Sequence, residues 1–120
     1  MNDFAIIIGA MKAGTTSLYE YLCQHPEIAR CQLRKQVDFF LDDELWSRGG
    51  DWYEEQWDFK EGRHRWALEA SPDYTRPDKA GTVAERMAES GYDLRLIYVL
   101  RDPFDRVCSH YYHSRQRDEI

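Results

Sequence analysis

The chain has 120 residues, a mass of 14.3 kDa and a formal net charge of −6 at pH 7. This length suits one domain, and a hydrophobic content of 42% gives enough apolar surface to offset the entropy lost when the chain is ordered. The excess of acidic residues argues against a general nucleic-acid binder, because such proteins gain affinity mainly by neutralising phosphates with Lys and Arg. We therefore expect one globular domain with, at most, a local basic pocket.

Cysteine spacing and hydropathy narrow the range of cofactors and compartments. The three cysteines are odd in number and form no C-x-x-C pair, which indicates neither a disulfide framework nor a zinc site. His110 and His113 lie about one helical turn apart, but no further residue completes a recognisable metal set. The longest apolar run is far shorter than the roughly 20 residues that cross a bilayer. These features predict a cytoplasmic protein with no metal, no membrane contact and no nucleic-acid partner, and they leave the oligomeric state open.

The first predicted elements are a strand, a glycine-rich loop and a helix. Residues 4–8 form a continuous aromatic and β-branched run, which is typical of a strand buried on both faces in a parallel sheet. Gly9 and Gly14 bracket the loop that follows. Thr15 opens a segment with helical apolar spacing, and Pro26 ends it because the residue before a proline avoids helical geometry.

The rest of the chain alternates irregular, extended and helical patterns. Residues 28–65 are rich in aromatic and acidic side chains and predict loops and short helices. Residues 65–71 and 94–100 predict a second and a third strand, the latter also of the buried type. Between them, apolar residues recur at helical spacing over 80–88, and a further helix is expected from Pro103 onward.

Strands that alternate with helices predict a three-layer α/β fold with a central parallel sheet. We expect one domain over residues 1–120. The final residues have a helical pattern without a stop signal, so we expect that the domain continues beyond them.

The loop after the first strand has the composition of an anion-binding site. Gly9 and Gly14 allow the backbone to approach a ligand closely, and residues 15–17 add three hydroxyl groups where the first helical N–H groups lack partners. Lys12 lies inside the loop, whereas the G-x-x-x-x-G-K-[ST] pattern of nucleotide triphosphatases places its lysine directly after the second glycine. The loop therefore indicates a phosphate-like group other than a standard triphosphate.

Four stretches together resemble one enzyme family. The stretch "GAMKAGTTSLYEYL" resembles the 5′-phosphosulfate loop of sulfotransferases that use 3′-phosphoadenosine 5′-phosphosulfate (PAPS), and "LRLIYVLRDPFDRVCSHYYHS" resembles their 3′-phosphate motif. The stretches "RKQVDFF" and "LEASPDYT" resemble the K-E-x-H-F-F and E-x-S-P-x-Y segments of the glycosaminoglycan-type members. The resemblance spans nearly the whole chain and is strongest to bacterial relatives of this carbohydrate-directed group, whose fold is P-loop-like.

The resemblance implies transfer of a sulfuryl group from PAPS to a hydroxyl or amine acceptor, with a carbohydrate favoured, and release of adenosine 3′,5′-bisphosphate. Lys12 would stabilise the oxygen that bridges phosphorus and sulfur, and no metal is implied. Arg101 and Ser109 would bind the 3′-phosphate, because an arginine at a strand end can make a bidentate phosphate contact. The complete implied donor site is Lys12, Ala13, Gly14, Thr15, Thr16, Ser17, Arg101 and Ser109.

The acceptor side departs from the family pattern. Gln36 stands where the family has the glutamate that serves as the candidate base, and Asp38 stands where it has a histidine, while Lys35 matches the family lysine. Glutamine cannot accept a proton from the acceptor. The base is therefore expected to be Asp38, another residue such as Glu69, or a group in a C-terminal part beyond this chain.

Two other classes of protein remain open from the sequence. A P-loop kinase or triphosphatase would need a magnesium-binding acid at a strand end, for which Asp102 is the contender. A nucleotide-binding module without turnover would use the same loop. If the chain is a piece of a longer enzyme, we expect these 120 residues to be inactive alone.

Overall fold

The computed structural model describes residues 3–11, 13–33 and 35–100. Its sheet has four strands in the order β2-β3-β1-β4, and every neighbouring pair is parallel. The strands are β1 (Asp3–Gly9), β2 (Ile28–Arg30), β3 (Trp66–Ala70) and β4 (Asp93–Tyr98). The predicted parallel sheet is confirmed, and β2 was not predicted because three residues are too few for a recognisable pattern.

Four α-helices connect and cover these strands. They are α1 (Thr15–Leu22), α2 (Asp43–Ser47), α3 (Gly49–Glu54) and α4 (Ala80–Glu89), and a 3-10 helix spans Pro72–Thr75. Asp42 caps α2 by accepting a hydrogen bond from the Leu45 N–H, which is otherwise one of the unpaired donors of a helix start. The helix expected after Pro103 lies outside the described residues. No helix of the described part has the length and apolarity needed to span a membrane.

Side chains of β1 alternate between two layers, as the two-residue period of a strand requires. Ala5 and Ile7 pack with Tyr19 of α1 on one face. Phe4 and Ile6 point to the other face, into a cluster that we call the aromatic layer. Helices therefore cover the two faces of the central strand, as the predicted three-layer arrangement requires. The aromatic layer comprises Phe4, Ile6, Ala29, Cys31, Val37, Phe39, Phe40, Tyr53, Trp57, Ala67, Tyr74 and Val83.

Aromatic rings fix the segment after β2 onto the sheet. The Phe39 ring stacks on Tyr53 at a centroid distance of 4.4 Å, and Tyr53 lies 4.8 Å from Phe4 of β1. Phe40 contacts Tyr53 and Tyr74 edge-on at 5.4 and 5.9 Å. These rings are all buried, so residues 39–40 anchor a chain segment that has no regular secondary structure of its own.

Two elements differ from the sequence expectation in their burial. β4 was expected to be buried, but Leu96 and Tyr98 are 51% and 46% exposed because β4 lies at one end of the described sheet and packs mainly toward β1. In α4, Val83 and Met87 reach the aromatic layer, whereas Ala84 and Ala88 are exposed. The buried stripe of α4 is therefore narrower than the spacing of its apolar residues suggests.

Gly9→Ala should destabilise the fold by about 1–3 kcal/mol, the usual cost of overpacking a well-packed site. A Cβ at Gly9 would lie 2.6 Å from Thr75 Oγ1 and 2.8 Å from the Tyr98 ring, and Thr75 Oγ1 already donates to the Ile8 carbonyl. Gly81→Ala is the matched control, because it meets nothing within 4 Å and should stabilise α4 by up to about 1 kcal/mol. Urea unfolding of both variants checks the prediction, and an equal change in both would contradict it.

Candidate functional site

The carboxyl ends of three strands meet beside the glycine-rich loop. The Val99 N–H donates to the Gly9 carbonyl at 2.8 Å, and the Ala10 N–H donates to the Val99 carbonyl at 3.2 Å, which joins the ends of β1 and β4. The Ser71 N–H donates to the Ile7 carbonyl at 3.0 Å and holds the end of β3 against β1. Ligands of open parallel α/β sheets bind at this edge, so the geometry places a candidate site here.

The loop and the start of α1 form a cradle of N–H donors. Gly14 is the N-cap of α1 with φ 81°, a left-handed conformation that glycine adopts without strain, and no side chain caps the helix. The Leu18 N–H bonds to the Gly14 carbonyl, so the preceding N–H groups of the first turn have no partner within the helix. The first turn contains no acidic residue. Both features favour an anion at the positive end of the helix.

An open cleft of about 370 Å³ lies in front of this helix start. It joins the predicted donor loop to the segment predicted to face the acceptor, which are 18 or more residues apart in sequence. Its lining residues are Met11, Gly14, Thr15, Thr16, Ser17, Lys35, Gln36, Pro72 and Asp73. Thr16 and Ser17 are exposed to the cleft, while Thr15 is buried beneath it.

Not every predicted site residue can be placed. Ala13 is buried in the loop, where its N–H donates to the Ala10 carbonyl at 3.3 Å, so it supports the loop and does not line the cleft. Lys12, Arg101 and Ser109 lie outside the described residues. Their roles stay predictions.

Gln36 connects two carboxylates beside the cleft. Its Nε2 donates to both carboxylate oxygens of Asp38 at 3.3 Å and to Asp73 Oδ2 at 3.2 Å. Asp38 is half-buried, has φ 61° and is not among the residues that line the cleft. An amide that bridges two carboxylates holds them close to each other and close to the helix start of α1.

Asp73 is a cleft residue that the sequence did not reveal. It lies in the 3-10 helix that follows β3, and its only sequence signal is its position just after Pro72 at the carboxyl end of a predicted strand. Residues at this position of a parallel sheet often face the ligand. The Ala70 N–H at the end of β3 donates to the Lys35 carbonyl at 2.7 Å, and this tertiary contact brings Asp73 near Gln36.

Glu69 is a fully buried carboxyl group of β3 behind the cleft. Its oxygens accept hydrogen bonds from Ser71 Oγ at 2.6 Å, from the Tyr74 hydroxyl at 3.0 Å and from the Tyr53 hydroxyl. Burial raises the pKa of Glu69 to about 7, although the three hydrogen bonds oppose this shift. Because Glu69 is enclosed in the core, direct contact with an acceptor molecule is not supported for it.

No three His, Cys, Asp or Glu side chains within residues 3–11, 13–33 and 35–100 come close enough together to form a candidate metal site. The chemistry available at the described part of the cleft consists of helix N–H groups, hydroxyl groups, one amide, one lysine and carboxylates. This set suits an anionic ligand on the α1 side.

Comparison with known proteins identifies the class that this fold and cleft represent. The family model of the sulfotransferase domain matches residues 2–119, and the chain belongs to this family. The structure of a sulfotransferase from Alicyclobacillus acidocaldarius is similar over 100% of this chain and 53% of that chain, with a TM-score of 0.75 and 30% sequence identity. The predicted family and fold class are confirmed.

Two curated relatives are similar over most of this chain. Heparan sulfate glucosamine 3-O-sulfotransferase 5 from Mus musculus is 32% identical over 107 residues, which are 89% of this chain and 29% of that protein. Bifunctional heparan sulfate N-deacetylase/N-sulfotransferase 3 from Homo sapiens is 30% identical over 119 residues, which are 95% of this chain and 13% of that protein. The chain therefore spans less than a third of the length of these relatives.

Proposed function

We propose that the protein transfers a sulfuryl group from PAPS to a hydroxyl or amine group of a carbohydrate. The observation that carries this proposal is the cleft between the start of α1 and residues 35–36. It juxtaposes an anion-binding helix start with a polar segment on the opposite wall, as a reaction between an anionic donor and a polar acceptor requires. Membership of the sulfotransferase family supports this reading.

The first turn of α1 would hold the 5′-phosphate of the donor. Thr16 and Ser17 present hydroxyl groups to the cleft beside the N–H groups of the helix start. Lys12 would neutralise the oxygen released when the sulfur–oxygen bond to the 5′-phosphate breaks. Arg101 and Ser109 would bind the 3′-phosphate, which distinguishes this donor from ATP. Such groups act by positioning and by stabilising developing charge, as in phosphoryl transfer.

The Asp38 carboxylate would accept the proton that the acceptor loses. The acceptor oxygen or nitrogen attacks sulfur, its proton passes to Asp38, and the bond between sulfur and the bridging oxygen breaks to release adenosine 3′,5′-bisphosphate. Asp38 already accepts from the Gln36 amide at the side of the cleft, so a small shift of Gln36 would open a path to the acceptor. Gln36 would then orient the base and leave proton transfer to it.

A glycan acceptor is proposed because both curated relatives are named for heparan sulfate. One of them is named as a 3-O-sulfotransferase and the other as an N-sulfotransferase, so the proposal includes both hydroxyl and amine acceptors. A small hydroxyl compound is the alternative acceptor. A cytoplasmic location remains part of the proposal.

Arg101→Ala should weaken the binding of adenosine 3′,5′-bisphosphate by about 10–100-fold, because it removes charge-assisted hydrogen bonds to the 3′-phosphate. Isothermal titration calorimetry of the full-length protein measures this change. Arg95→Ala is the matched control, since Arg95 lies on β4 of the same chain segment and its exposed guanidinium is 3.9 Å from Asp93. Equal binding by the two variants would remove the assigned role of Arg101.

The same titration with ATP and magnesium separates the proposed function from a P-loop kinase or triphosphatase. The proposed donor requires preference for the bisphosphate, and a preference for ATP with magnesium would refute it. Transfer of radiolabelled sulfate from PAPS to heparan sulfate and to a panel of small phenols separates an enzyme from a binding module without turnover.

A further inference from the structure

The Glu69 carboxyl group lies at the centre of a buried hydrogen-bond network that leads toward the cleft. Its Oε1 accepts from Ser71 Oγ and from the Tyr74 hydroxyl, and its Oε2 accepts from the Tyr53 hydroxyl. All four residues are at most 1% exposed. A carboxyl group in such surroundings is costly to bury, and the three donors are what makes its burial tolerable.

Two of these donors are themselves acceptors for the backbone beside the cleft. The Asp38 N–H donates to Ser71 Oγ at 3.2 Å, and the Phe40 N–H donates to the Tyr74 hydroxyl at 3.4 Å. A hydroxyl group has one proton, so donating it to Glu69 turns its lone pairs toward these N–H groups. The orientation of both hydroxyl groups, and with it the anchoring of residues 38–40, is therefore set by the Glu69 carboxyl group.

The anchored segment lies outside regular secondary structure. Residues 36–38 are in neither a helix nor a strand, and Asp38 has φ 61°, a region that costs free energy for a residue other than glycine. Such a conformation persists only where the surrounding contacts impose it. The Asp38 N–H bond to Ser71 is one of these contacts, and the stacked ring of Phe39 is another.

We propose that Glu69 is a positioning residue for sulfuryl transfer, which acts through Ser71 and Tyr74 to hold Asp38 and Gln36 at the acceptor side of the cleft. This inference rests on the proposed function. It assigns Glu69 no contact with donor or acceptor. It also explains why the stretch "EASPDY" has a glutamate, a serine and a tyrosine at this spacing: β3 places Glu69 and Ser71 on the same face, and the 3-10 helix returns Tyr74 to that face.

Substitutions of Ser71 and Tyr74, whose hydroxyl groups link Glu69 to residues 38–40, test the proposal without creating a large cavity in the core. Ser71→Ala and Tyr74→Phe each remove one link between Glu69 and the cleft segment. Tyr53→Phe is the matched control, because it removes a hydrogen bond to the same carboxyl group but to no backbone N–H of residues 36–40. Glu69→Gln is the conservative variant, since its amide oxygen can still accept from Ser71 and Tyr74. Glu69→Ala is less informative, because unpaired buried hydroxyl groups could prevent folding.

The readouts are steady-state transfer from PAPS to heparan sulfate and calorimetric binding of adenosine 3′,5′-bisphosphate, both with the full-length protein. We expect Ser71→Ala and Tyr74→Phe to lower kcat/KM for heparan sulfate by about 10–100-fold while the Kd of the bisphosphate changes by less than about twofold. Tyr53→Phe should retain both values within about threefold, and Glu69→Gln should recover most of the kcat/KM that Glu69→Ala loses.

Three results would overturn the inference. The first is a kcat/KM for Ser71→Ala that equals that of Tyr53→Phe, and the second is an equal loss of bisphosphate affinity, which would indicate general damage to the fold. The third is unchanged exchange of the Asp38 and Phe40 amide protons in Ser71→Ala and Tyr74→Phe, which would show that these hydroxyl groups do not anchor the segment.

Failure of the proposed function gives a different result. The wild-type protein would then not transfer sulfate to heparan sulfate at all, and the inference would fail together with the proposed function.

Discussion

Lys12→Ala should lower the rate of sulfuryl transfer by about 10²–10³-fold, the usual effect of removing one group that stabilises charge developing in a transition state. Negative charge accumulates on the bridging oxygen as the bond to sulfur breaks. In the sequence Lys12 lies between β1 and α1, and the start of α1 lines the cleft. Transfer of radiolabelled sulfate from PAPS under single-turnover conditions measures the effect on chemistry apart from product release.

The control for Lys12 is a lysine that is remote from the cleft. Lys60 is exposed and forms an ion pair with Asp58 at 2.9 Å, and it does not line the cleft. Lys60→Ala should therefore leave the rate unchanged. If Lys12→Ala and the wild-type protein transferred sulfate at equal rates, the leaving-group role of Lys12 would be refuted. A loss of bisphosphate affinity with an unchanged rate at saturating donor would reassign Lys12 to binding.

Glu69→Gln should remove a pH dependence of folding stability that amounts to about 3 kcal/mol in the wild-type protein. Burial raises the pKa of Glu69 from 4.5 to about 7, so the folded state binds this proton more tightly than the unfolded state. The associated stability is fully present below pH 4.5 and is lost as the pH rises through about 7. Glutamine has no such proton, and its variant should be the more stable of the two at pH 8.

Urea unfolding of the wild-type protein and of Glu69→Gln between pH 5 and pH 8 measures this effect as the difference between the two proteins. The difference cancels the titration of groups that both proteins share. Glu85→Gln is the matched control, because Glu85 is exposed on α4 and has no place in the buried network. A difference between wild type and Glu69→Gln that does not change with pH would show that Glu69 stays in one ionisation state over this range.

Local patterns predicted the elements that build the donor side of the site. The run 4–8 corresponds to β1, the hydroxyl-rich stretch after Gly14 corresponds to the start of α1, and the stretch 94–100 contains most of β4. These predictions succeeded because the residues involved are contiguous and the geometry of a strand, a turn and a helix start is set by neighbours in sequence. The loop lysine and the family motifs then predicted the ligand class.

The part of the cleft formed by residues 35–36 and Asp73 was predicted only in part. Gln36 and Asp38 were recognised as departures from a motif, and they lie only two positions apart. The participation of Asp73 depends on its contact with Gln36, which is 37 positions away in the sequence. Glu69 was considered as a base, and its sequence position gave no sign that it is fully buried with three hydroxyl donors. Burial and pairing of this kind follow from the sheet order, which no local pattern encodes.

The sequence by itself determined the parallel α/β class and the family, because these follow from hydrophobic periodicity and contiguous motifs. It also predicted an anion-binding loop from the placement of its glycines. The tertiary structure decided which acidic side chains face the cleft and which are enclosed. β3 lies between β2 and β1, where Glu69 is buried, and the contact of its end with Lys35 brings Asp73 near Gln36. The physical reason is that burial and hydrogen-bond partners of a side chain are set by the strands packed around it, and those come from distant parts of the chain.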